Sequence, residues 1–512
     1  MSTLLFDKYL ETTEQVDPIK CVGHVVKVQG LLIESRGPQA IIGELCRIEV
    51  PKGSGIVQAE VVGLREDIIQ LMAYGDIEGI EIGSRVIASG MRLKIPVSKK
   101  LLGRVLDCMG RPLDDKGEIA SRIHYSATAL PPEPLKRRRV TQRIVTGVRA
   151  IDGLLSVGRG QRLGIFAGSG VGKSTLLGMV ARNTNADVNV VALIGERGRE
   201  VNDFIAKDLG PEGLAKTVLV VSPSNSPPLA RLRGAYTATA VAEYFRDQGL
   251  DVMLLFDSIT RFARAQREIG LATGEPPATR GYTPSVFDSM PKLLERCGTS
   301  DKGTITGFYT ILVDGDDMDE PVSDTVRGIL DGHIVLSRRL AEAFHYPAVD
   351  VLGSISRLAP AVTGPVTQRA AGYIRRLMAV YNEAEDLINV GAYHQGTNPA
   401  IDEAIAKKAA IDSFLIQGVE EKSSIVETLQ VMGEIAGMEI PMEEMQAWQK
   451  GTLSILADDS YEDAVDADAA EIDEEDDKKN PETSEEQELS KEPEQAEPET
   501  TEKTGAAALE TL

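Results

Sequence analysis

A glycine-rich loop between an apolar strand and an amphipathic helix constrains the fold of this chain more than any other stretch. It lies in GIFAGSGVGKSTLLGMVARN, residues 164–183, where the glycines are followed by Lys173, Ser174 and Thr175. Glycine permits backbone conformations in which successive N–H groups turn inward onto phosphate oxygens at a helix N-terminus. The stretch therefore predicts a phosphate-binding loop on a strand–loop–helix unit.

The composition of this loop predicts a site for a triphosphate and Mg²⁺. We expect Lys173 to reach the terminal phosphates and the Ser174 hydroxyl to ligate Mg²⁺. The strict pattern GxxxxGK[ST] has glycine where this chain has Ala167, and alanine is the smallest alternative. The residues expected to cradle the nucleotide are Ala167, Gly168, Ser169, Gly170, Val171, Gly172, Lys173, Ser174 and Thr175.

The acidity of the chain belongs to its C-terminal end. The 512 residues carry a formal net charge of -23, and residues 458–512 contain 22 Asp and Glu against 4 Lys, a net of -18, which leaves -5 for everything before them. The body has no basic excess, which argues against a dedicated nucleic-acid-binding protein. Residues 457–512 have almost no apolar content, so we expect a disordered acidic tail.

Cysteine usage and the N-terminal sequence indicate a reduced compartment. Four cysteines lie far apart with no CxxC pair, a pattern more typical of buried thiols than of bridges. The N-terminus has no basic start followed by an apolar core, so no signal peptide is predicted. No apolar run approaches the roughly 18 residues that span a bilayer. We therefore expect a cytoplasmic protein.

The pattern of apolar residues divides the chain into regions. After an N-terminal arm (1–19), short β-rich runs separated by turn residues predict a small β-barrel over 20–96. Apolar strand-like runs alternate with helical stretches over 97–377, which predicts a doubly wound α/β domain with a parallel sheet. Over 378–456 the apolar residues recur at helical spacing, which predicts a small helical domain.

Two further strand ends carry side chains suited to hydrolysis. In DVMLLFDS, Asp257 ends an apolar strand where a ligand for Mg²⁺ belongs, and Arg261 follows one helical turn later. In VVALIGERGREV, Glu196 and Arg197 lie just beyond another strand, and Glu200 is a turn further on. Hydrolysis needs a carboxylate that orients water and a cation that offsets charge on the phosphoryl group. We interpret Glu196 as the base that activates water, rather than as part of a self-paired surface loop.

The stretch HYPAVDVLGSISR adds two candidates. Tyr346 offers a ring that can stack on a base, and Arg357 has no partner that the local sequence explains.

Together these stretches resemble the catalytic subunits of rotary ATP synthases and their relatives in protein secretion. The resemblance rests on AGSGVGKST, GERGREV, LLFDSITRFARAQREI, GEPPATRGYTPSVFDSMPKLLERCG, GHIVLSRRLAEAFHYPAVDVLGSISR and LGRVLDCMGRPLD. It covers about residues 20–450 and implies a RecA-like P-loop ATPase domain between the barrel and the helical domain. Within this superfamily the chain is most similar to the flagellar type III protein export ATPases. Their helical domain resembles YNEAEDLINVGAYHQGTNPAIDEAIAKKAAIDSFLIQ, and alanine at position 167 is usual among them.

The resemblance implies an ATPase that uses ATP and Mg²⁺ to energise flagellar protein export. It implies that Lys173 and Ser174 bind phosphate and Mg²⁺, that Glu196 is the catalytic carboxylate, and that Arg197 and Arg261 contact the γ-phosphate.

The same resemblance implies a site that is shared between subunits. Asp257 and Glu200 are expected at the metal, and Tyr346 would flank the adenine. Arg357 matches an arginine finger that enters the site of a neighbouring subunit, which implies a homohexamer. The implied partners are a negative regulator at the N-terminal region, a coiled-coil stalk subunit, export chaperones with cargo, and the membrane export gate. The enzyme would associate peripherally with the inner-membrane export apparatus, and no nucleic acid is implied.

Three alternatives stay open at this stage. The same enzyme could serve a virulence-type injectisome, which sequence motifs separate poorly from the flagellar system. A hexameric RNA-translocating ATPase of the terminator type also pairs a small barrel with such a domain, but this barrel lacks stacking aromatics and basic charge. A non-catalytic ring subunit is disfavoured because Lys173 and Glu196 are both retained.

Overall fold

The computed structural model describes residues 22–50, 55–313 and 317–446. The expected N-terminal arm (1–19) and acidic tail (457–512) lie outside the described residues.

The first described strands close into a β-barrel, as the sequence predicts. They pair in the order β1-β2-β5-β4-β3-β6, with antiparallel neighbours. Every second residue of β3 points into the barrel core, so that Glu44, Cys46 and Ile48 are buried, which is the period expected of a strand with one wet face. The strands are β1 (Val22–Gln29), β2 (Leu32–Arg36), β3 (Glu44–Glu49), β4 (Ile56–Arg65), β5 (Ile68–Ala73) and β6 (Arg85–Arg92).

A parallel sheet forms the centre of the molecule. Its order is β19-β18-β12-β17-β15-β13-β14-β8, with β16 paired to β17, and only β19 and β16 run antiparallel to their neighbours among the described strands. Strands β13 and β14 are buried along their whole length, as apolar runs covered on both faces should be. The remaining strands are β7 (Lys94–Pro96), β8 (Val105–Leu106), β9 (His124–Ser126), β10 (Arg143–Ile144), β11 (Val157–Gly158), β12 (Arg162–Ala167), β13 (Val188–Ile194), β14 (Thr217–Ser222), β15 (Asp251–Asp257), β16 (Gly298–Thr299), β17 (Thr304–Leu312), β18 (Gly332–Leu336) and β19 (Val349–Ser356).

Helices connect and cover these strands. Their ends follow capping rules: the Ser258 side chain accepts the Arg261 N–H at the start of one helix, and Gly274 ends it in the left-handed conformation. The helices that precede β19 in the chain are α1 (Arg149–Leu154), α2 (Lys173–Asn183), α3 (Gly198–Asp203), α4 (Gly210–Ala215), α5 (Pro228–Asp247), α6 (Ile259–Thr273), α7 (Pro284–Leu294), α8 (Pro321–Ile329) and α9 (Arg338–Glu342). A π-helical turn lies at Phe204–Leu209, and 3₁₀ turns lie at Lys99–Leu101, Pro134–Lys136 and Thr279–Gly281.

The C-terminal part of the described chain is helical, as predicted. It comprises α10 (Ala359–Val362), α11 (Pro365–Asn389), α12 (Pro399–Leu415), α13 (Ile425–Ala436) and α14 (Met442–Gln446). Helix α11 runs without a break through residues 377 and 378, where the domain boundary was placed from sequence; the boundaries stay predictions. Within the described ranges, none of the helices combines the length and the apolar character needed to cross a bilayer.

The strand order decides where the candidate side chains meet. Strands β12, β17, β15 and β13 are consecutive and parallel, so their carboxyl ends share one edge of the sheet. In open α/β sheets this edge is where ligands bind.

Candidate active site

The predicted phosphate loop forms the turn between β12 and α2. Gly170 and Gly172 have φ of +79° and +95°, values that L side chains rarely adopt, and Gly172 caps α2. Val171 is buried and anchors the loop, whereas Ser169, Gly170 and Ser174 are exposed. Ala167 is buried in the sheet, where its methyl group is accommodated in place of the usual glycine. The loop therefore presents its backbone to an open side at a helix N-terminus.

Lys173 is held by the carboxylate at the end of β15. Its Nζ lies 2.5 Å from Asp257 Oδ1 and 3.7 Å from Glu196 Oε1. Thr310, on the intervening strand β17, donates its hydroxyl to the same Asp257 oxygen at 2.8 Å. Asp257 is 2% exposed, so this oxygen is satisfied by two donors inside the protein. The structure brings together residues that stand 84 positions apart in sequence.

Glu196 lies just beyond β13 in a setting that disfavours its charge. It is 8% exposed, and its Oε1 has no hydrogen-bond partner among the described residues. Burial, followed by the negative charge of Asp257 and a hydrogen bond with Glu200, raises the pKa of Glu196 to about 7, although Lys173 and Arg261 act in the opposite direction. A buried carboxyl with a pKa near neutrality is suited to accept a proton in catalysis.

Two arginines near Glu196 have different surroundings. Arg261 Nη2 lies 3.7 Å from Glu196 Oε2, and its buried Nε has no partner in the described chain. A Cβ on Gly195, whose φ is +75°, would lie 3.0 Å from the Arg261 side chain, so glycine lets this arginine approach. Arg197 instead faces solvent, with its side chain 78% exposed and its Nη1 3.3 Å from Glu200 Oε1. Hydrogen bonding to Glu196 lowers the pKa of Glu200.

A small cavity is bordered by the end of the loop and by these carboxylates. It measures about 120 Å³, and its walls include Ser174, Glu196, Glu200 and Asp257. Within the part of the chain that is described, no group of three His, Cys, Asp or Glu side chains forms a metal cage. Mg²⁺ at nucleotide sites is held by one or two protein oxygens with phosphates and waters. The exposed Ser174 hydroxyl, with Asp257 nearby, fits such a site.

Tyr346 lies beside the loop, as a base-stacking residue would. A Cβ added to Gly172 would be 3.6 Å from a Tyr346 ring carbon. Tyr346 is 38% exposed, so part of the residue is accessible to a ligand.

Arg357 lies at the other edge of the sheet. It follows β19, whose Ser356 pairs with Gly332 at the start of β18, whereas Ala167 pairs with Leu336 at the end of that strand. Four residues of strand separate the two levels, about 13 Å. The Arg357 side chain is exposed, and no hydrogen bond or ion pair holds it within the described ranges. The structure does not bring this candidate to the loop of its own chain.

Thr310 was not predicted from sequence. The sequence indicates it only weakly. It is a single polar residue in the otherwise apolar end of β17, one position beyond Tyr309, which pairs with Phe256 of β15.

Family models match most of the described chain. The β-barrel domain of the ATP synthase alpha/beta family matches residues 25–90, and the nucleotide-binding domain of that family matches 147–356. The T3SS EscN ATPase C-terminal domain matches 363–434.

Relatives and solved structures agree with these matches. The chain is 57% identical over 440 residues to the flagellum-specific ATP synthase of Treponema pallidum (strain Nichols), which covers 86% of this chain and 98% of that protein. It is 45% identical to the assembled ATPase EscN of the enteropathogenic E. coli type III secretion system, with a TM-score of 0.77 over 81% of this chain and all of that one. EscN in complex with its central stalk EscO gives 45% identity and a TM-score of 0.75 over the same shares.

The fold and the matches define an ATPase of the ATP synthase alpha/beta family. Within it, the chain belongs to the flagellum-specific ATP synthases and type III secretion ATPases.

Proposed function

We propose that this protein hydrolyses ATP to energise protein export through the flagellar type III secretion apparatus, and so serves flagellum assembly. The observation that carries the proposal is the convergence of Lys173, Asp257 and Glu196 at neighbouring strand ends beside the phosphate loop. The identity to the flagellar relative, 57%, exceeds the 45% identity to the injectisome enzyme. The injectisome alternative is therefore not favoured.

In the proposed reaction, the chain binds and orients ATP before it moves a proton. The N–H groups of the loop and Lys173 bind the phosphates at the N-terminus of α2. Glu196 accepts a proton from the attacking water as the water oxygen bonds to the γ-phosphorus, and the bond to the β–γ bridging oxygen breaks to release ADP. Arg261, beside Glu196, offsets the charge that develops on the γ-phosphoryl group.

Mg²⁺ would be held by the Ser174 hydroxyl, with Asp257 and Glu200 facing the same cavity. When bound, it neutralises charge on the phosphate oxygens. In the proposed reaction Lys173 exchanges its contact with Asp257 for the phosphates. Arg197, which is exposed next to Glu200, contacts the γ-phosphate once ATP and the neighbouring subunit are in place. Tyr346 stacks on the adenine.

A complete site requires a second copy of the chain. Because Arg357 and the loop lie at opposite edges of one sheet, we propose that Arg357 enters the site of a neighbour and that the chain acts as a homohexamer. EscN, at 45% identity, has been solved in assembled form and with a central stalk. We accordingly propose a coiled-coil stalk subunit as a partner.

The remaining partners follow from the proposed role in export. They are a negative regulator at the N-terminal region, export chaperones with cargo, and the membrane export gate. We propose that the protein is cytoplasmic and associates peripherally with the export apparatus. No nucleic-acid partner is proposed.

The ATPase rate at increasing protein concentration tests the shared site. We expect the rate per subunit to rise steeply as the ring assembles, and a rate per subunit that is constant at all concentrations would contradict a shared site. The flagellar role is tested in the cell: a strain whose copy carries Lys173→Ala should lack filaments and stop swimming. Filaments in that strain would contradict the proposed role.

A further inference from the structure

A buried glutamine joins the helical region to the segment that carries Tyr346. Gln417 lies between α12 and α13 and is 2% exposed. Its backbone N–H donates to the Tyr346 carbonyl oxygen at 2.8 Å. Its side chain binds other segments: Nε2 donates to the carbonyl oxygens of Gly147 at 2.8 Å and Glu421 at 3.0 Å, and Oε1 accepts the backbone N–H of Arg149 at 2.9 Å.

An amide is the side chain that this position requires. Both Nε2 hydrogens meet carbonyl oxygens and Oε1 meets an N–H, so every polar atom of the Gln417 side chain is used. A carboxylate would place negative charge against two carbonyl oxygens, and a hydrocarbon would leave buried backbone groups without partners.

Two arginine side chains from other elements also bind the loop around Gln417. Arg149 donates from Nη2 to the Ile416 carbonyl oxygen at 2.5 Å and forms an ion pair with Glu421. Arg182, near the end of α2, donates to the Val419 carbonyl oxygen at 2.6 Å. The helical region is thus attached to the helix that follows the phosphate loop and, through Gln417, to the segment of Tyr346.

We propose that Gln417 is a positioning residue that holds the Tyr346 ring beside Gly172 and thereby sets the affinity for the nucleotide base. The Gln417 side chain fixes its own backbone, and that backbone fixes the Tyr346 carbonyl. A shift of the α12–α13 loop therefore moves the ring relative to the phosphate loop. The inference rests on the proposed role of Tyr346. It does not involve Lys173 or Glu196, which Gln417 does not contact.

The substitution Gln417→Met tests this role because it keeps the length of the side chain and removes its hydrogen bonds. We expect the KM for ATP to rise about tenfold, the size of a base-stacking interaction lost in part. The kcat should stay within about twofold, since the groups that act on the γ-phosphate are untouched. The inhibition constant of inorganic tripolyphosphate, which has no base, should not change. An unchanged KM for ATP, or an equal loss of affinity for tripolyphosphate, would overturn the inference.

The variant Tyr346→Ala separates this inference from the function on which it rests. If Tyr346→Ala leaves the preference for ATP over tripolyphosphate unchanged, the proposed base site is wrong. If it weakens ATP alone while Gln417→Met does not, only the role of Gln417 fails. In the double variant the second change should add little, because both act on one ring.

Two further variants keep the test decisive. Gln161→Met removes another buried glutamine, whose Nε2 donates to the Asp331 carbonyl oxygen at the opposite edge of the sheet. It should not alter the preference for ATP over tripolyphosphate, and an equal effect there would count against a specific role for Gln417. Glu421→Gln weakens the exposed ion pair with Arg149 and alters the carboxylate that accepts the Gly418 N–H, but it leaves the buried Gln417 amide in place, so it preserves the fold if Gln417→Met does not. It should shift the preference in the same direction, and no shift would contradict the proposal.

Discussion

Lys173 Nζ contacts Asp257 Oδ1 at 2.5 Å, so the lysine of the phosphate loop is paired with the carboxylate two strands away. Thr310 holds the same oxygen from the strand between them. In the proposed reaction Lys173 turns to the phosphates, and Thr310 then remains as the donor that keeps Asp257 in place. Two donors thus fix the position of one Asp257 oxygen, and groups held in place by the protein are the condition for effective electrostatic catalysis.

Replacing Thr310 tests this arrangement. Thr310→Val keeps the shape of the side chain and removes the hydroxyl, so Asp257 loses a donor worth about tenfold in rate. We expect kcat to fall by that factor and the Mg²⁺ concentration for half-maximal rate to rise, with little change in the KM for ATP. Thr310→Ser should restore both values. Thr239→Val removes a hydroxyl that bonds within α5 and serves as the matched control. Wild-type kcat and Mg²⁺ dependence in Thr310→Val would contradict the role.

Glu196→Gln should abolish turnover and preserve binding. The amide has the size of the carboxyl group but accepts no proton from water, so we expect kcat to fall by roughly 10²–10⁴. The affinity for ATP, measured by calorimetry with Mg²⁺, should stay within a few-fold. Hydrolysis at a near-normal rate would assign the base to another residue.

The pH dependence should follow the carboxyl group of Glu196. Because its pKa is raised to about 7, the group is protonated at pH 6 and ionised at pH 8. The kcat/KM should therefore increase through about pH 7, and Glu196→Gln should lack this step. A rate that is flat between pH 6 and 8 would exclude Glu196 as the titrating base.

The raised pKa of Glu196 also makes the folded state less stable at high pH. The raised pKa means that the folded state favours the protonated group. Ionisation therefore costs stability, and this cost grows as the pH rises from 4.5, the ordinary pKa of a glutamate, towards about 7. The full cost is about 3 kcal/mol. The nucleotide-free Glu196→Gln variant should melt at a higher temperature than the wild type at pH 8 and at the same temperature at pH 4, as measured by calorimetry. An equal or lower melting temperature at pH 8 would contradict the buried setting.

Mixing two inactive variants tests whether Arg357 acts across an interface. Arg357→Ala and Lys173→Ala subunits should each have little activity alone. In a mixture, a site with an intact loop from the first variant can receive Arg357 from the second, and random assembly makes about a quarter of the interfaces complete. We expect activity to appear on mixing. A mixture as inactive as its components would place the role of Arg357 within its own subunit.

Sequence reasoning predicted the meeting of those candidate residues whose position follows from a strand end. Lys173, Asp257 and Glu196 each stand where an apolar run stops, and parallel strands place such ends at one edge. The barrel and the central sheet could also be predicted, because the spacing of buried residues along a strand is a local property of the sequence.

Other features depend on contacts that no local pattern records. Thr310 meets Asp257 only because β17 is inserted between β12 and β15. Gln417 meets Tyr346 across 71 positions through the packing of the helical region on the sheet. Arg197 directly precedes α3 with its side chain turned to solvent, an orientation that a motif does not reveal. The proposed roles of Arg197 and Glu200 remain predictions.

Because Arg357 and the phosphate loop lie at opposite edges of one sheet, the number of complete sites depends on whether the row of subunits closes. If Arg357 acts across an interface as proposed, each subunit donates a finger at one end and receives one at the other. An open row therefore always has one loop without a finger and one finger without a loop. When the row closes into a ring, the unpaired finger enters the site of the unpaired loop. A ring is then the smallest arrangement in which every subunit has a complete site. A factor that opens or caps a single interface therefore lowers the ATPase rate without touching any catalytic residue.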